Sequence, residues 1–207
     1  MFKVVNMSSK IGFIAVGIVA GILLSILAWQ ALAASYTYQG SLIDPPVTVA
    51  DFELSDQHGG RFRLSEHRGQ VVLIFFGYTF CPDVCPVTIS EFRQVKRLLG
   101  DKAADVRFVY ITVDPERDTR QRMKAYLDNF DPSFIGLTGS FEELEEVWKQ
   151  YGVFRQVQES GSAGGYLIDH TARIYAIDAS GRLKLTFPFG MEVEKIARDV
   201  RQMLQER

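Results

Sequence analysis

Cysteine and histidine are scarce in this chain, with two Cys and three His among 207 residues. Cys81 and Cys85 are the whole cysteine complement, so at most one internal disulfide can form. A bridge across so short an interval constrains little chain entropy, because the gain grows with loop length. A disulfide-stapled architecture is therefore excluded, and the two thiols are expected to serve chemistry. Cationic charge is also in short supply. The 23 Lys and Arg are outnumbered by 25 Asp and Glu, and no basic block stands out, which argues against nucleic acid as a partner. No internal repeat and no low-complexity tract is present.

Charge is missing altogether from Ile11 to Trp29, IGFIAVGIVAGILLSILAW. As a helix, at ~1.5 Å per residue, this run would cover about 28 Å, close to the hydrocarbon thickness of a bilayer. Lys3 and Lys10 precede it and no basic residue follows until Arg61. That asymmetry keeps residues 1–10 in the cytoplasm and sends the remainder outside. Residues 11–34 are thus expected to be a single transmembrane anchor. A cleaved signal peptide is the alternative, since Ala31-Leu32-Ala33 fits a cleavage site, but its apolar region is typically only ~7–15 residues long. No Cys lies near residue 30, which argues against a lipoprotein anchor. The leader lacks the Arg and Ser enrichment of an organelle transit peptide, so the expected location is the bacterial cytoplasmic membrane, with the C-terminal domain facing the periplasm or outside.

Residues 35–47, with Asp44-Pro45-Pro46, show neither hydrophobic period and read as a linker, which leaves 48–207 as the folded domain. Val49–Leu54 and Arg61–Leu64 alternate around Asp56-Gln57-His58-Gly59-Gly60, the pattern of a β-hairpin. Val71–Gly77 is continuously apolar, as a strand covered on both faces should be. A helix is predicted over Pro86–Leu99, with Ile89, Phe92, Val95 and Leu99 as its inward stripe and Gly100 as its stop. Val106–Val113 is the next strand, and Asp118 or Thr119 caps a helix reaching about Phe130. Ser140 and Glu143 form a capping box for a helix ending near Tyr151-Gly152. Residues 155–165, rich in Gly and Ser, read as a mobile loop. Ala172–Asp178 and Leu183–Phe187 form a second hairpin, and Glu192–Leu204 an amphipathic helix. The order β-α-β-α, then β-β-α, predicts an α/β fold: a thioredoxin-like sandwich with an N-terminal β-hairpin and an inserted helix.

Cys81-Pro82-Asp83-Val84-Cys85-Pro86 lies between the buried strand and the first helix, on the edge of a parallel sheet where ligands bind. Two sulfurs four positions apart in a first helical turn face the same way, about 5–6 Å apart at Cβ, and can grip one metal ion or close into a disulfide. The helix N-terminus favours a thiolate, and Cys85, next to Pro86, is expected to feel it most. Thiolates select soft or borderline metals, and imidazole suits both copper and zinc. His170, in Leu167-Ile168-Asp169-His170-Thr171, sits where this fold should bring a third ligand beside the cysteines. A Cys₂His set suits copper, whereas zinc would want a fourth ligand that the sequence does not offer nearby. His58 and His67, in polar turns, read as surface residues. Asp83, Asp114, Arg117 and Asp118 read as turn, capping and ion-pair residues. Phe76, Tyr78 and Phe80 read as packing around the site.

Phe75-Phe76-Gly77-Tyr78-Thr79-Phe80-Cys81-Pro82-Asp83-Val84-Cys85-Pro86 resembles the signature of the Sco/SenC copper chaperones. So do Val113-Asp114-Pro115-Glu116-Arg117-Asp118-Thr119, Gly136-Leu137-Thr138-Gly139-Ser140 and Asp169-His170, in family order over about residues 47–205. Thr171 stands where the family usually has Ser. The resemblance implies a thioredoxin-like fold, one membrane anchor, and copper held by Cys81, Cys85 and His170. It also implies a part in maturing the dinuclear copper centre of cytochrome c oxidase. The implied partners are that enzyme's copper-bearing subunit, an exported thiol reductant and a copper donor protein. The expectation is a metallochaperone and not an enzyme, with a thiol-disulfide oxidoreductase as the alternative. A thioredoxin-type reductase wants Cys-x-x-Cys and a cis-proline before the late hairpin, yet three residues separate these cysteines and no proline falls between Pro132 and Pro188. A thiol peroxidase wants a Pro-xxx-Thr-xx-Cys arrangement, which neither cysteine satisfies.

Overall fold

The computed structural model describes residues 17–26, 36–162 and 165–207. Two units separate at Thr37–Tyr38. In the first, residues 17–26 form a helix, α1, whose side chains are exposed. The rest of the expected anchor at 11–34, the cytoplasmic segment 1–10 and the cleavage motif at 31–33 lie outside the described residues. Among the described residues no helix is long and apolar enough to cross a membrane.

The second unit, Tyr38–Arg207, is organised on an eight-stranded sheet. Its strands are β1 (Ser41–Thr48), β2 (Glu53–Asp56), β3 (Arg61–Arg63), β4 (Val71–Gly77), β5 (Val106–Thr112), β6 (Ile135–Thr138), β9 (Arg173–Ile177) and β10 (Arg182–Pro188). Strands β7 (Arg155–Ser162) and β8 (Gly165–His170) form a separate two-stranded sheet. The helices are α2 (Val84–Leu99), α3 (Arg120–Asp128), α4 (Phe141–Gln150) and α5 (Val193–Gln205). Spatial order across the large sheet is β1-β10-β9-β4-β5-β6-β2-β3, with β4, β5 and β6 parallel and every other pair antiparallel.

β4 lies at the centre, and every residue of VVLIFFG is buried. Burying a side chain such as Ile74 contributes about 2 kcal/mol, so this strand is the strongest local determinant of the fold. Ile89, Phe92, Val95 and Leu99 of α2 all face the core, as their spacing predicts. Helix α3 is capped by Thr119, whose hydroxyl accepts from Arg122 N–H, and α4 opens with the complete Ser140–Glu143 capping box. The parallel register runs from Val71↔Val106 to Gly77↔Thr112. The C-terminal ends of β4 and β5 therefore open at one edge, and the segments leaving them, Tyr78–Asp83 and Val113–Thr119, lie side by side.

Four local expectations are corrected. Residues 41–48 are not linker but the edge strand β1, paired to β10 at Ser41↔Thr186 and Thr48↔Arg182. Its two prolines are tolerated because an edge strand leaves one side unpaired, and the register shifts between Leu42 and Val47 around them. Within the expected loop 155–165, residues 155–162 are instead the strand β7, paired antiparallel with β8, with His170 opposite Arg155. A four-residue strand, β6, precedes α4 and was not expected as an element. Helix α2 begins at Val84, two residues before Pro86, which costs no hydrogen bond because the first four helical N–H groups have no partner inside the helix.

Candidate metal centre

The cysteine loop leaves β4 through Gly77, where any side chain would collide with what surrounds it. A Cβ there would lie 2.8 Å from the Tyr110 hydroxyl and 2.9 Å from Cys85 Sγ. Glycine is thus what lets the strand end pass directly beneath the sulfur. Thr79 is next anchored by Asp118, which is fully buried. The Thr79 backbone N–H donates to both carboxylate oxygens at 3.2 and 3.1 Å, and its hydroxyl donates at 2.6 Å. Thr112 Oγ1 adds a fourth bond at 2.7 Å. Burial pushes the Asp118 carboxyl upward, against these hydrogen bonds.

Cys85 is fully buried in the first turn of α2, while Cys81 is partly exposed just before it. The backbone N–H of Cys85 points at Cys81 Sγ, 3.5 Å away. Both thiols are free. The acidity expected of Cys85 belongs to Cys81. The hydrogen bond from the Cys85 thiol, followed by those of His170 and the Asp83 and Cys85 N–H groups, holds Cys81 down at about 4 in spite of burial. Burial drives Cys85 well above the usual thiol range, and the negative charge of its neighbour adds to that. The helix start adds a smaller part: Cys85 lies inside the first turn, so its N–H is one of the helix's free donors and Cys81 collects it.

His170 comes from the small sheet, at the end of β8. Its Nε2 lies 3.4 Å from Cys85 Sγ, and its Nδ1 lies 3.2 Å from the carbonyl oxygen of Thr171. Nε2 is thus the ring nitrogen directed at the sulfurs: with a proton it donates to a thiolate, and with the proton on Nδ1 it presents a lone pair to a metal. The rings of Phe75 and Tyr78 meet the imidazole edge-on, with centroids 6.0 and 5.8 Å away. The donor atoms of Cys81, Cys85 and His170 all lie within 4.8 Å of one another. Among the described residues this is the one cluster of three or more His, Cys, Asp or Glu able to hold a metal ion. Its donor set, two sulfurs and one imidazole nitrogen against an apolar wall, matches a soft or borderline cation.

The remaining sequence readings fall around this centre. Asp114 pairs with Arg117 at 2.5 Å and is buried, so it is structural. His67 stacks on Phe62 at 4.5 Å and is not among the clustered donors, and His58 is exposed. Phe76 and Tyr78 are buried packing, as expected. Phe80 is not: it is 39% exposed and stacks with the guanidinium groups of Arg117 and Arg122, at 4.7 and 4.3 Å from its centroid. Tyr110 and Tyr166 were not singled out from the sequence. Their roles arise from contacts across many residues of chain, for which no local pattern exists.

A family model described as SCO1/SenC matches residues 41–205. An SCO2-like protein of Rickettsia conorii is 39% identical over 133 residues, covering 64% of this chain and 65% of that protein, just under two thirds of its length. The mitochondrial SCO2 homologue of Homo sapiens is 36% identical over 184 residues, covering 84% of this chain and 69% of that one. Among solved structures, copper-bound ScoI of Bradyrhizobium japonicum superposes with a TM-score of 0.70 at 39% identity, over 76% of this chain and 99% of that chain. Apo Sco1 of Thermus thermophilus gives 0.73 at 36% identity, over 83% and 99%. These matches bear out the α/β, thioredoxin-like fold read from the element order. By the model that spans most of its length and the relatives identical at more than a third of the aligned positions, the chain belongs to the SCO1/SenC family.

Proposed function

We propose that this protein binds copper through Cys81, Cys85 and His170 and carries it as cargo to the dinuclear copper centre of cytochrome c oxidase. The observation that carries this reading is the convergence of three soft donors within 4.8 Å, one of them brought by a separate hairpin. The copper-bound family structure supports the choice of metal. Sulfur-rich ligation favours copper's lower oxidation state, and the imidazole extends the set toward the higher one. Cys81 is held ready as a thiolate, Cys85 gives up its proton on ligation, and His170 offers Nε2, the proton passing to Nδ1 beside the Thr171 carbonyl. Release to a partner proceeds by ligand exchange, in which an incoming thiolate replaces one sulfur at a time.

The same two cysteines support a second reading, reduction of a target's disulfide. Cys81, acidic and partly exposed, is the attacking thiolate, and Cys85, four residues on, is the resolving thiol. The oxidised pair cannot ligate, so an exported reductant is part of either reading. Residues 11–34 are proposed to anchor the chain in the bacterial cytoplasmic membrane with the domain outside. The oxidase's copper-bearing subunit and a copper donor protein are the proposed partners.

Metal analysis of reduced residues 36–207, with spectra of the bound forms, tests the first reading. One copper per chain with a sulfur-to-copper charge-transfer band is expected. His170→Ala should lower Cu(II) affinity by about a hundredfold, with the unfolding midpoint of the metal-free protein unchanged. Wild-type affinity in that variant would remove His170 from the ligand set, and general disulfide exchange without copper uptake would favour the reductase.

A further inference from the structure

The imidazole reaches the sulfurs on a hairpin that shares no ladder with the main sheet. Among the described residues, β7 and β8 pair only with each other. Other contacts must set where His170 stands. Ile168 N–H donates to the Tyr78 hydroxyl at 3.2 Å, Arg155 Nε donates to the Val113 carbonyl at 2.6 Å, and Phe154 N–H donates to Thr171 Oγ1 at 2.9 Å. The densest attachment is elsewhere, at Arg117.

Its guanidinium carbon lies 3.6 Å from the centroid of Tyr166, 4.7 Å from that of Phe80 and 5.8 Å from that of Tyr78. Its Nη1 donates to the Tyr166 carbonyl at 2.9 Å, and its Nε donates to Asp114 Oδ2 at 2.5 Å. The Tyr166 hydroxyl donates to the other oxygen of Asp114 at 2.7 Å. Phe80 adjoins Cys81 in the chain, and Tyr166 precedes His170 on the same strand. One planar cation therefore touches the chain on both sides of the metal centre, with Asp114 holding it from below. Arg122 also lies over Phe80, 4.3 Å from its centroid, and donates from Nε to Thr79 Oγ1 at 3.1 Å.

We infer that Arg117 is a positioning residue that latches the His170 hairpin to the Cys81 loop and so sets the spacing between imidazole and sulfurs. The inference rests on the reading of His170 as the third ligand. Arginine suits this task where lysine does not. Its flat, delocalised cation stacks on Tyr166 and Phe80 while its fork bonds Asp114 and a carbonyl at once, whereas an ammonium is a single solvated point. Together with the Ile168 and Arg155 bonds, its contacts hold the hairpin where no strand ladder does.

Hydrogen exchange read by mass spectrometry on the reduced, metal-free full chain tests the latch without any metal. In Arg117→Gln, amides of Gly165–His170 should exchange about tenfold faster or more, while peptides from β4 and β5 keep their protection. Cu(II) affinity should fall by about ten- to a hundredfold, and the nitrogen hyperfine signal of the imidazole should weaken. Arg117→Lys, which keeps a cation for Asp114, should restore the global unfolding midpoint without restoring hairpin protection. It also answers the question if the Gln variant does not fold. Unchanged hairpin exchange in both variants, or a uniform rise over the whole chain, overturns the latch. Wild-type copper binding in His170→Ala would instead sink the ligand reading, while the exchange data still decide the latch.

Discussion

Cys81 and Cys85 have the same side chain and opposite chemistry, and the difference comes from what each sulfur touches and how deeply it is buried. Cys81 gathers a thiol proton, an imidazole and the N–H groups of Asp83 and Cys85, and sits at about 4. Cys85, fully buried, is driven the other way by burial first and by its neighbour second. For Cys81 the sign is that of a depressed acid: its thiolate is present above pH about 4 and is lost as pH falls through that value. Alkylation of the reduced, metal-free protein by iodoacetamide should therefore be confined to Cys81 and nearly independent of pH from 6 to 8, as peptide mapping would reveal. An ordinary thiol would instead quicken about tenfold per pH unit across that range, and such a profile would contradict the assignment. Cys85 should stay unlabelled until the chain unfolds.

Elements, unlike residues, announce themselves in sequence only when their signal is local. The apolar run of β4, the stripe of α2, the Thr119 cap and the Ser140–Glu143 box are all short-range patterns, and each marks an element the fold contains. The site was legible to the same degree. Two cysteines and one histidine declare themselves by type, but the acidity of Cys81 depends on its contacts with the Cys85 thiol and with His170, and the contacts of Arg117 and Asp118 span tens of residues. Strand β1 was hidden because Pro45-Pro46 imitates a linker, and β7–β8 because Gly and Ser imitate a loop. Misreading β1 has an energetic consequence. Besides its pairing to β10, the segment before it donates backbone N–H groups of Gln39 and Gly40 to the buried carboxylate of Asp199, at 2.9 and 2.7 Å. A chain begun at residue 48 loses these charge-assisted bonds and uncovers β10. Compared with one begun at residue 36, it should be about 3 kcal/mol less stable in urea denaturation, from two such bonds at ~1.5 kcal/mol each. Equal midpoints would mean that β1 adds nothing.

At the scale of the whole molecule, the proposed metal centre is a junction between two sheets. The sulfurs belong to the β4–α2 connection of the large sheet, and the imidazole belongs to the small one. A ligand that bonds both must stabilise the folded state more than either part, because the unfolded chain leaves Cys85 and His170 separated by 85 positions. With free Cu(I) buffered at about a hundred times the dissociation constant, the gain is about 2.7 kcal/mol. For a domain of this size, each kcal/mol moves the unfolding midpoint by about 2–4 °C, so copper should raise it by about 5–10 °C in anaerobic calorimetry of the reduced protein. Oxidation to a Cys81–Cys85 disulfide consumes both sulfurs and should abolish that rise, while His170→Ala should leave part of it, since the two thiolates remain. The order of the three responses carries the test. Reduced wild type should respond most, the histidine variant less, and the oxidised protein not at all. A rise of equal size in the oxidised protein would place the copper on other groups, because the sulfur–sulfur bond leaves neither cysteine a charge with which to hold a metal.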